Sequence, residues 1–321
     1  MTTDTQIAPA AGTEFHASER GRFRHLFVPD VAYKLFLAIE NDDNAPAAIR
    51  ITDALARRGA LPTVLRTIDL MPAVAGTGDS MIVYAESVLG EEFYRTQEGI
   101  IVSTIRKLLG ADRPWPVRAV VGEPASTIVS EAQSANAELL VIGIHHHGKF
   151  AQALGENTAT RVMSHAGIPV VGVRPDMQTL PRRIMVATDF GDASIEAAHL
   201  AANLVNPGGT VILVHATLPI LIVVEGDEGA ALVQREGIEH AFLNLSAEIS
   251  EGRDIHVETV TRTGDAATEL LAAAEQIAPD MIATASQRHS FLDRLILGSV
   301  SRTIVRNGHW SMLVTPPALT P

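Results

Sequence analysis

Short apolar runs alternate with longer stretches of helical spacing along most of the chain. Residues 34–39 (KLFLAI) read as a strand ending in the acidic turn Glu40-Asn41-Asp42-Asp43. Residues 44–58 place Ala47, Ile49, Ile51, Leu55 and Ala56 near helical spacing, and 62–68 (PTVLRTI) form a second strand. A small, glycine-containing stretch at 71–80 precedes a long amphipathic helix over 87–109, a strand over 115–121 and a helix over 123–135 opened by Pro124. A strand over 139–142, a helix over 157–166 and a strand over 169–173 follow.

From Arg183 the order repeats. Strand 184–188, helix 193–205 and strand 210–216 lead to a loop holding Gly226 and Gly229 and a long helix to about Ser250. Strand 255–262, helix 265–277 and strand 281–284 come next, then a polar loop, a helix starting near Gly298-Ser299 and strand 312–315. The closing unit at 279–315 repeats the one at 138–173, and matching the two halves sets Leu37 on Val186 and Pro169 on Ser311. Four regions are predicted: an N-terminal extension (1–32), a first domain (33–174), an aperiodic linker with two prolines (175–182) and a second domain (183–316). Strands alternating with helices predict an α/β fold of two tandem doubly wound domains with parallel sheets. Ligands bind such sheets at the carboxyl ends of the strands, where the strand order reverses.

Composition narrows the function. The 321 residues are 46% hydrophobic and 19% charged, a globular balance, and the 4% aromatic content beside abundant Ala, Val, Ile and Leu suits helices on a parallel sheet. The net charge of −12 opposes a nucleic-acid backbone, so no nucleic-acid partner is expected. The absence of cysteine excludes a disulfide framework, a thiolate metal site and a cysteine nucleophile. The first residues lack a signal-peptide core, and no run reaches the roughly 18 apolar residues that span a bilayer. A soluble, cytoplasmic protein without membrane attachment is expected.

A loop that enters a helix through Gly298-Ser299 leaves backbone N–H groups and a hydroxyl at the positive end of the helix dipole, which suits a phosphate. Together with IMVATDFGDAS at 184–194, VILVHA at 211–216 and LGSVSRTIV at 297–305, these residues resemble the universal stress protein family, and the chain after about residue 33 resembles a tandem member. The resemblance implies a five-stranded parallel sheet flanked by helices in each domain. It also implies an ATP site in members with an Asp after the first strand and a Gly-x-x-Gly-x9-Gly-Ser/Thr loop. The second half keeps Asp189 and Gly298-Ser299, while Ala285 and Arg288 replace the first two loop glycines. Arg288 adds a Cβ at an expected turn, yet its guanidinium suits phosphate oxygens. The candidate nucleotide-binding residues are therefore Ala187, Asp189, Ala216, Ala285, Arg288, Gly298, Ser299 and Val300. In the first half Glu40 takes the place of the Asp, His146 that of the second glycine, and Glu156-Asn157 that of Gly-Ser, so ATP or a related nucleotide is expected in the second half alone.

Other motifs carry less. Residues 143–149 (GIHHHGK) have Gly-x4-Gly-Lys spacing, but Phe150 stands where Mg²⁺ needs a hydroxyl. His145, His146 and His147, with His165, lack metal-ligand spacing and read as a polar loop, and no metal is expected. Asp192 reads as a helix cap, and His199 and His215 as packed histidines. No nucleophile elbow or dinucleotide-binding fingerprint is present, and no catalytic residue is assigned. Three functions are consistent with the sequence: a nucleotide-binding stress or regulatory protein, a scaffold of the same fold without nucleotide, and an ATPase using the same pocket. The resemblance further implies dimers through the fifth strand, which in a tandem chain becomes a pseudo-dimer of the two halves through 169–173 and 310–315; edges left open allow whole chains to associate further.

Overall fold

The computed structural model describes residues 21–39, 45–69, 90–144, 158–218, 228–288, 295–296, 298–307 and 309–316. The first half comprises β1 (Tyr33–Ile39), α1 (Ala45–Ala56), β2 (Ala60–Ile68), α2 (Gly90–Leu109), β3 (Val117–Val121), α3 (Pro124–Ser134), β4 (Leu139–Gly143), α4 (Thr158–His165) and β5 (Val170–Val173). The second comprises β6 (Arg183–Ala187), α5 (Asp192–Leu204), β7 (Gly209–Thr217), α6 (Glu228–Ser250), β8 (Ile255–Thr263), α7 (Ala266–Ile277), β9 (Met281–Ala285), the short β10 (Gln287–Arg288) and β11 (Leu295–Ile296), α8 (Ser299–Asn307) and β12 (Ser311–Thr315). Boundaries moved where backbone chemistry dictates. Pro114 and Pro116 lack ladder donors, so β3 begins at Val117 rather than at residue 115. Gly229, expected in a loop, lies inside α6.

Ten strands form one sheet in the order β3-β2-β1-β4-β5-β12-β9-β6-β7-β8. Neighbours within each half run parallel, and the halves meet where β5 pairs antiparallel with β12, Val170 opposite Val314 and Gly172 opposite Met312. The expected pairing of the two fifth strands is therefore present within the chain. Both are buried along their length, and a Cβ at Gly172 would run into Met163 Cε, so glycine there lets α4 approach the junction. One face of the sheet packs Leu35, Leu37, Val141, Val186 and Leu213 under α1, α2, α5 and α6; the other packs Phe36, Leu140, Met185 and Ile212 under α3, α4, α7 and α8. Among the described residues no helix is long and apolar enough to cross a membrane.

Residues 21–32, expected to be an extension outside the core, instead clasp the two halves together. Leu26 and Phe27 are fully buried and Phe23 nearly so, in the cluster that holds α1 and α5. The contacts run both ways: His25 Nε2 meets Glu138 Oε1 of the first half at 2.9 Å, while the Phe23 N–H donates to Glu196 and the Arg24 guanidinium to Glu196 and Glu248 of the second. Asn203 Nδ2 donates to the carbonyls of Arg24 and Leu26. Beside this clasp Arg58 of the first half donates to the carbonyls of Asn203 and Leu204 and to Asn206 Oδ1. Under it lies His199, 3% exposed, with Nε2 2.8 Å from Glu248 Oε1. Burial and the Arg24 charge hold its pKa below the ordinary value despite Glu248 and Glu196.

Truncating Leu26→Ala is expected to cost about 2–5 kcal/mol in chemical denaturation, because the methyl groups leave a cavity between the halves; Val31→Ala, at a position 36% exposed, should cost far less. The depressed His199 pKa adds a pH dependence. The unfolded chain takes up a proton near pH 6.5 that the folded site refuses, so this contribution is complete above that pH and declines below it, by at most about 1.4 kcal/mol per pH unit. His199→Gln should flatten the denaturation midpoint between about pH 6.5 and 5.5; an unchanged slope would assign the decline to other groups.

Candidate functional site

A cleft lies at the carboxyl ends of β6, β7 and β9. β6 passes through Thr188 and Asp189 into a tight turn before α5. Asp189 Oδ1 accepts the Gly191 N–H at 2.9 Å and the Ser194 hydroxyl at 2.7 Å, and Thr188 Oγ1 accepts the Phe190 N–H at 3.0 Å while lying 3.1 Å from Ser194 Oγ. Phe190 sits at φ 62°, an unusual angle for a side chain of this size, and is held there by packing against His215 (ring centroids 4.8 Å apart) and Phe242 (5.0 Å). His215 Nδ1 is 2.8 Å from the Thr188 carbonyl, tying β7 to the same turn. Asp189 is thus at once a turn residue and an exposed carboxylate at the cleft. Asp192, expected to cap α5, is its first helical residue instead; Gly191 is the cap position, and the turn's bonds come from Asp189 and Thr188.

Across the cleft, β9 ends at Thr284 and Ala285. Ser301 donates to the Ala285 carbonyl at 2.7 Å and lies 2.8 Å from Thr284 Oγ1, which fixes the first turn of α8 above the strand end. Arg302 N–H donates to the Gly298 carbonyl at 2.8 Å, so Gly298 is the cap residue of α8 and Ser299, Val300 and Ser301 open the helix. Their N–H groups precede the first residue able to bond back along the helix. The helix start thus falls where the sequence placed it.

Of the sequence candidates, Ala187, Asp189, Ala216, Ala285 and Val300 line this cleft, and Gly298 is half-buried at the helix start. Arg288 and Ser299 are described by backbone alone. Arg288 is not at a turn, as expected, but in the β10–β11 ladder opposite Leu295, and neither it nor Ala285 has positive φ. Glycine is therefore not required at either position on conformational grounds. The candidate set missed Thr188, Ser194, Thr284 and Ser301, which also line the cleft. Their signal was the recurrence of hydroxyl residues just inside both strand ends and both helix starts.

The first half has a corresponding cleft, lined by Ile39, Ala45, Ile142 and Ala159 among others. The paired registers, Leu37 beside Val141 and Val186 beside Ala283, align Ile39 with Thr188 and Ile142 with Thr284. Both strand-end hydroxyls of the second cleft are apolar in the first, where Thr158 supplies a hydroxyl from α4. Among the described residues the first cleft encloses about 20 Å³ and the second about 110 Å³. The flanking helices α3 and α4 are joined by Arg161, bidentate to Glu123 at 2.6 and 3.1 Å, and Glu123 also accepts the Ala125 and Ser126 N–H groups at the start of α3. Glu40, His145–His147, Glu156 and Asn157 lie outside the described residues.

The model of the Universal stress protein family matches residues 33–174 and again 181–316. A universal stress protein of Methanocaldococcus jannaschii is 27% identical over 143 residues, covering 43% of this chain and 83% of its own length. The crystal structure of a universal stress protein from Archaeoglobus fulgidus is similar over 92% of this chain and 98% of its own, with TM-score 0.58 and 22% identity. A putative universal stress protein from Pseudomonas aeruginosa matches with TM-score 0.59 and 13% identity, over 90% of this chain and 94% of its own. At these identities the solved structures show the fold alone.

The hydroxyl pairs should behave as units. Ser301→Ala leaves the Ala285 carbonyl and Thr284 hydroxyl without their shared partner and is expected to cost about 1–3 kcal/mol. Thr284→Ile with Ser301→Ala, the first-half pattern, should cost less than the two single changes together. A double-mutant cycle by chemical denaturation measures the coupling; strict additivity would show that the two side chains act independently.

Proposed function

Since this chain belongs to the universal stress protein family, we propose that it is a stress-response regulatory protein whose second domain binds ATP or a related nucleotide and whose first domain does not. One observation carries the reading: the second cleft sets an exposed carboxylate, Asp189, across from the opening N–H groups of α8, between walls of small apolar side chains. Phosphates belong at Gly298, Ser299 and Val300, where the helix dipole and backbone donors favour an anion. Asp189 would repel them, so it takes the nucleoside end as acceptor for a hydroxyl or amino group. Ala187, Ala216 and Leu270 offer the apolar surface that an aromatic base requires. In the first domain Ile39, Ile142 and Ala159 line the corresponding cleft among the described residues, and weaker binding is expected there.

The reading assigns binding and regulation, with the Ser194 hydroxyl held by Asp189 as part of the turn before α5. A scaffold acting without nucleotide and an ATPase using this cleft are the competing outcomes of one experiment. Mass spectrometry of the denatured, purified protein should find co-purified nucleotide, and calorimetry of nucleotide-free chain should give one ATP per chain. Gly298→Glu should weaken binding by more than about tenfold, or 1.4 kcal/mol, while Glu156→Gln in the first domain leaves it unchanged. Absence of binding at millimolar ATP supports the scaffold, and phosphate release lost in Asp189→Ala supports the ATPase. Two equivalents of ATP, or binding indifferent to Gly298→Glu, would overturn the site assignment.

A further inference from the structure

The two outer strands of the sheet are finished differently. At one edge β3 follows Pro114 and Pro116, and the Ala119 N–H donates to Glu98 Oε1 of α2 at 3.2 Å. Prolines and a carboxylate on the backbone leave little for a further strand to pair with. At the other edge β8 runs nine residues and, among the described residues, pairs with β7 alone. The bond from the Gly264 N–H to the Thr217 carbonyl sets the alternation: even-numbered residues of β8 face β7, while Val257, Thr259, Thr261 and Thr263 turn their N–H and C=O groups outward. Registers place Thr261 where Ala119 stands in the first domain, since Leu213 pairs with Thr259 as Val64 pairs with Val117. Among the described residues no side chain caps its N–H as Glu98 caps that of Ala119. The adjoining helix α6 leaves Leu232, Val233 and Leu243 more than half exposed.

We propose that β8 is a docking edge for a second copy of this chain, the two β8 strands pairing antiparallel about a two-fold axis so that one sheet runs through both chains. Such a pair must set outward residues against outward residues. With Val260 opposite its own copy, Thr259 faces Thr261 and Val257 faces Thr263 in hydrogen-bonded positions. Glu258 then faces Arg262, twice, in the closer positions between them. Thr–Thr and opposite-charge neighbours are favourable across strands. Moving the axis to Thr259 instead sets His256 against Arg262 and Glu258 against Val260, so charge selects the first register. Arg262 is prepared for a carboxylate: one guanidinium nitrogen donates to Gln276 Oε1, while its Nε is buried without a partner in the chain. The junction of β5 with β12 already shows that this sheet accepts an antiparallel pair between parallel blocks.

Sedimentation velocity of the full chain tests the proposal. The native protein should show a concentration-dependent species of twice the single-chain mass. Glu258→Arg and Arg262→Glu should each weaken self-association by about tenfold or more, since each sets like charges opposite one another. The double variant Glu258→Arg with Arg262→Glu restores opposite charges and should recover the dimer, a rescue that misfolding cannot produce; circular dichroism verifies the fold of each variant. A native chain monomeric up to sub-millimolar concentration, a dimer indifferent to both single changes, or a double variant that stays monomeric would overturn it.

Discussion

The antiparallel pairing of β5 with β12 is the contact on which the molecule depends. Each half ends in a strand buried along its whole length, and alone each would present an open apolar edge to water. Pairing makes each strand the inner neighbour of the other and turns two small sheets into one of ten strands. It also fixes the direction of the two clefts. Because the halves run oppositely across the junction, the carboxyl ends of their parallel strands lie at opposite ends of the sheet, and no single small ligand can use both. The clasp of residues 21–32 reinforces the same junction from one face, with Leu26 and Phe27 in the shared core and side-chain partners in both domains.

Duplication kept the backbone and changed the chemistry. A buried hydroxyl costs free energy unless bonded, so Thr188 with Ser194, and Thr284 with Ser301, are retained or lost as partners rather than singly. In the first domain Ile39 and Ile142 stand where the strand-end hydroxyls Thr188 and Thr284 stand in the second. There the Arg161–Glu123 pair links α3 and α4. In the second domain the hydroxyls hold the Asp189 turn and the start of α8 at a fixed separation, which keeps a cleft open between them.

Much of this was legible in the sequence because parallel strands announce themselves as short aliphatic runs, and because the repeat let each half check the other. The family, the doubly wound order and the helix start at Gly298 rest on such local patterns, and the pairing of the fifth strands on what the family resemblance implies. The clasp was not legible: Phe23, Leu26 and Phe27 have helical spacing over a single turn only, and Glu138, Glu196 and Glu248, the partners of His25, Phe23 and Arg24, lie more than a hundred residues away. Arg288 was misplaced at a turn because the family's glycine pattern suggests one, whereas here the chain extends into the β10–β11 ladder. Asp192 was read as a cap because Asp commonly is one; the cap position fell to Gly191 because Asp189 reaches forward to Ser194 and Gly191. Each miss involves a bond between residues whose pairing depends on tertiary path or on turn geometry.

Covalent fusion explains why the halves were free to diverge this far. In a dimer of identical chains, any substitution that closes a cleft or an edge acts twice, so a site cannot be lost from one subunit alone. Within one chain the first domain can give up its polar cleft and still supply the junction, the clasp partner Glu138 and the closed β3 edge. The second domain can then keep an exposed carboxylate and an unblocked strand without bearing the whole burden of stability. The two ends of the sheet differ as the two clefts do: β3 is closed by prolines and Glu98, while β8 pairs with β7 alone among the described residues.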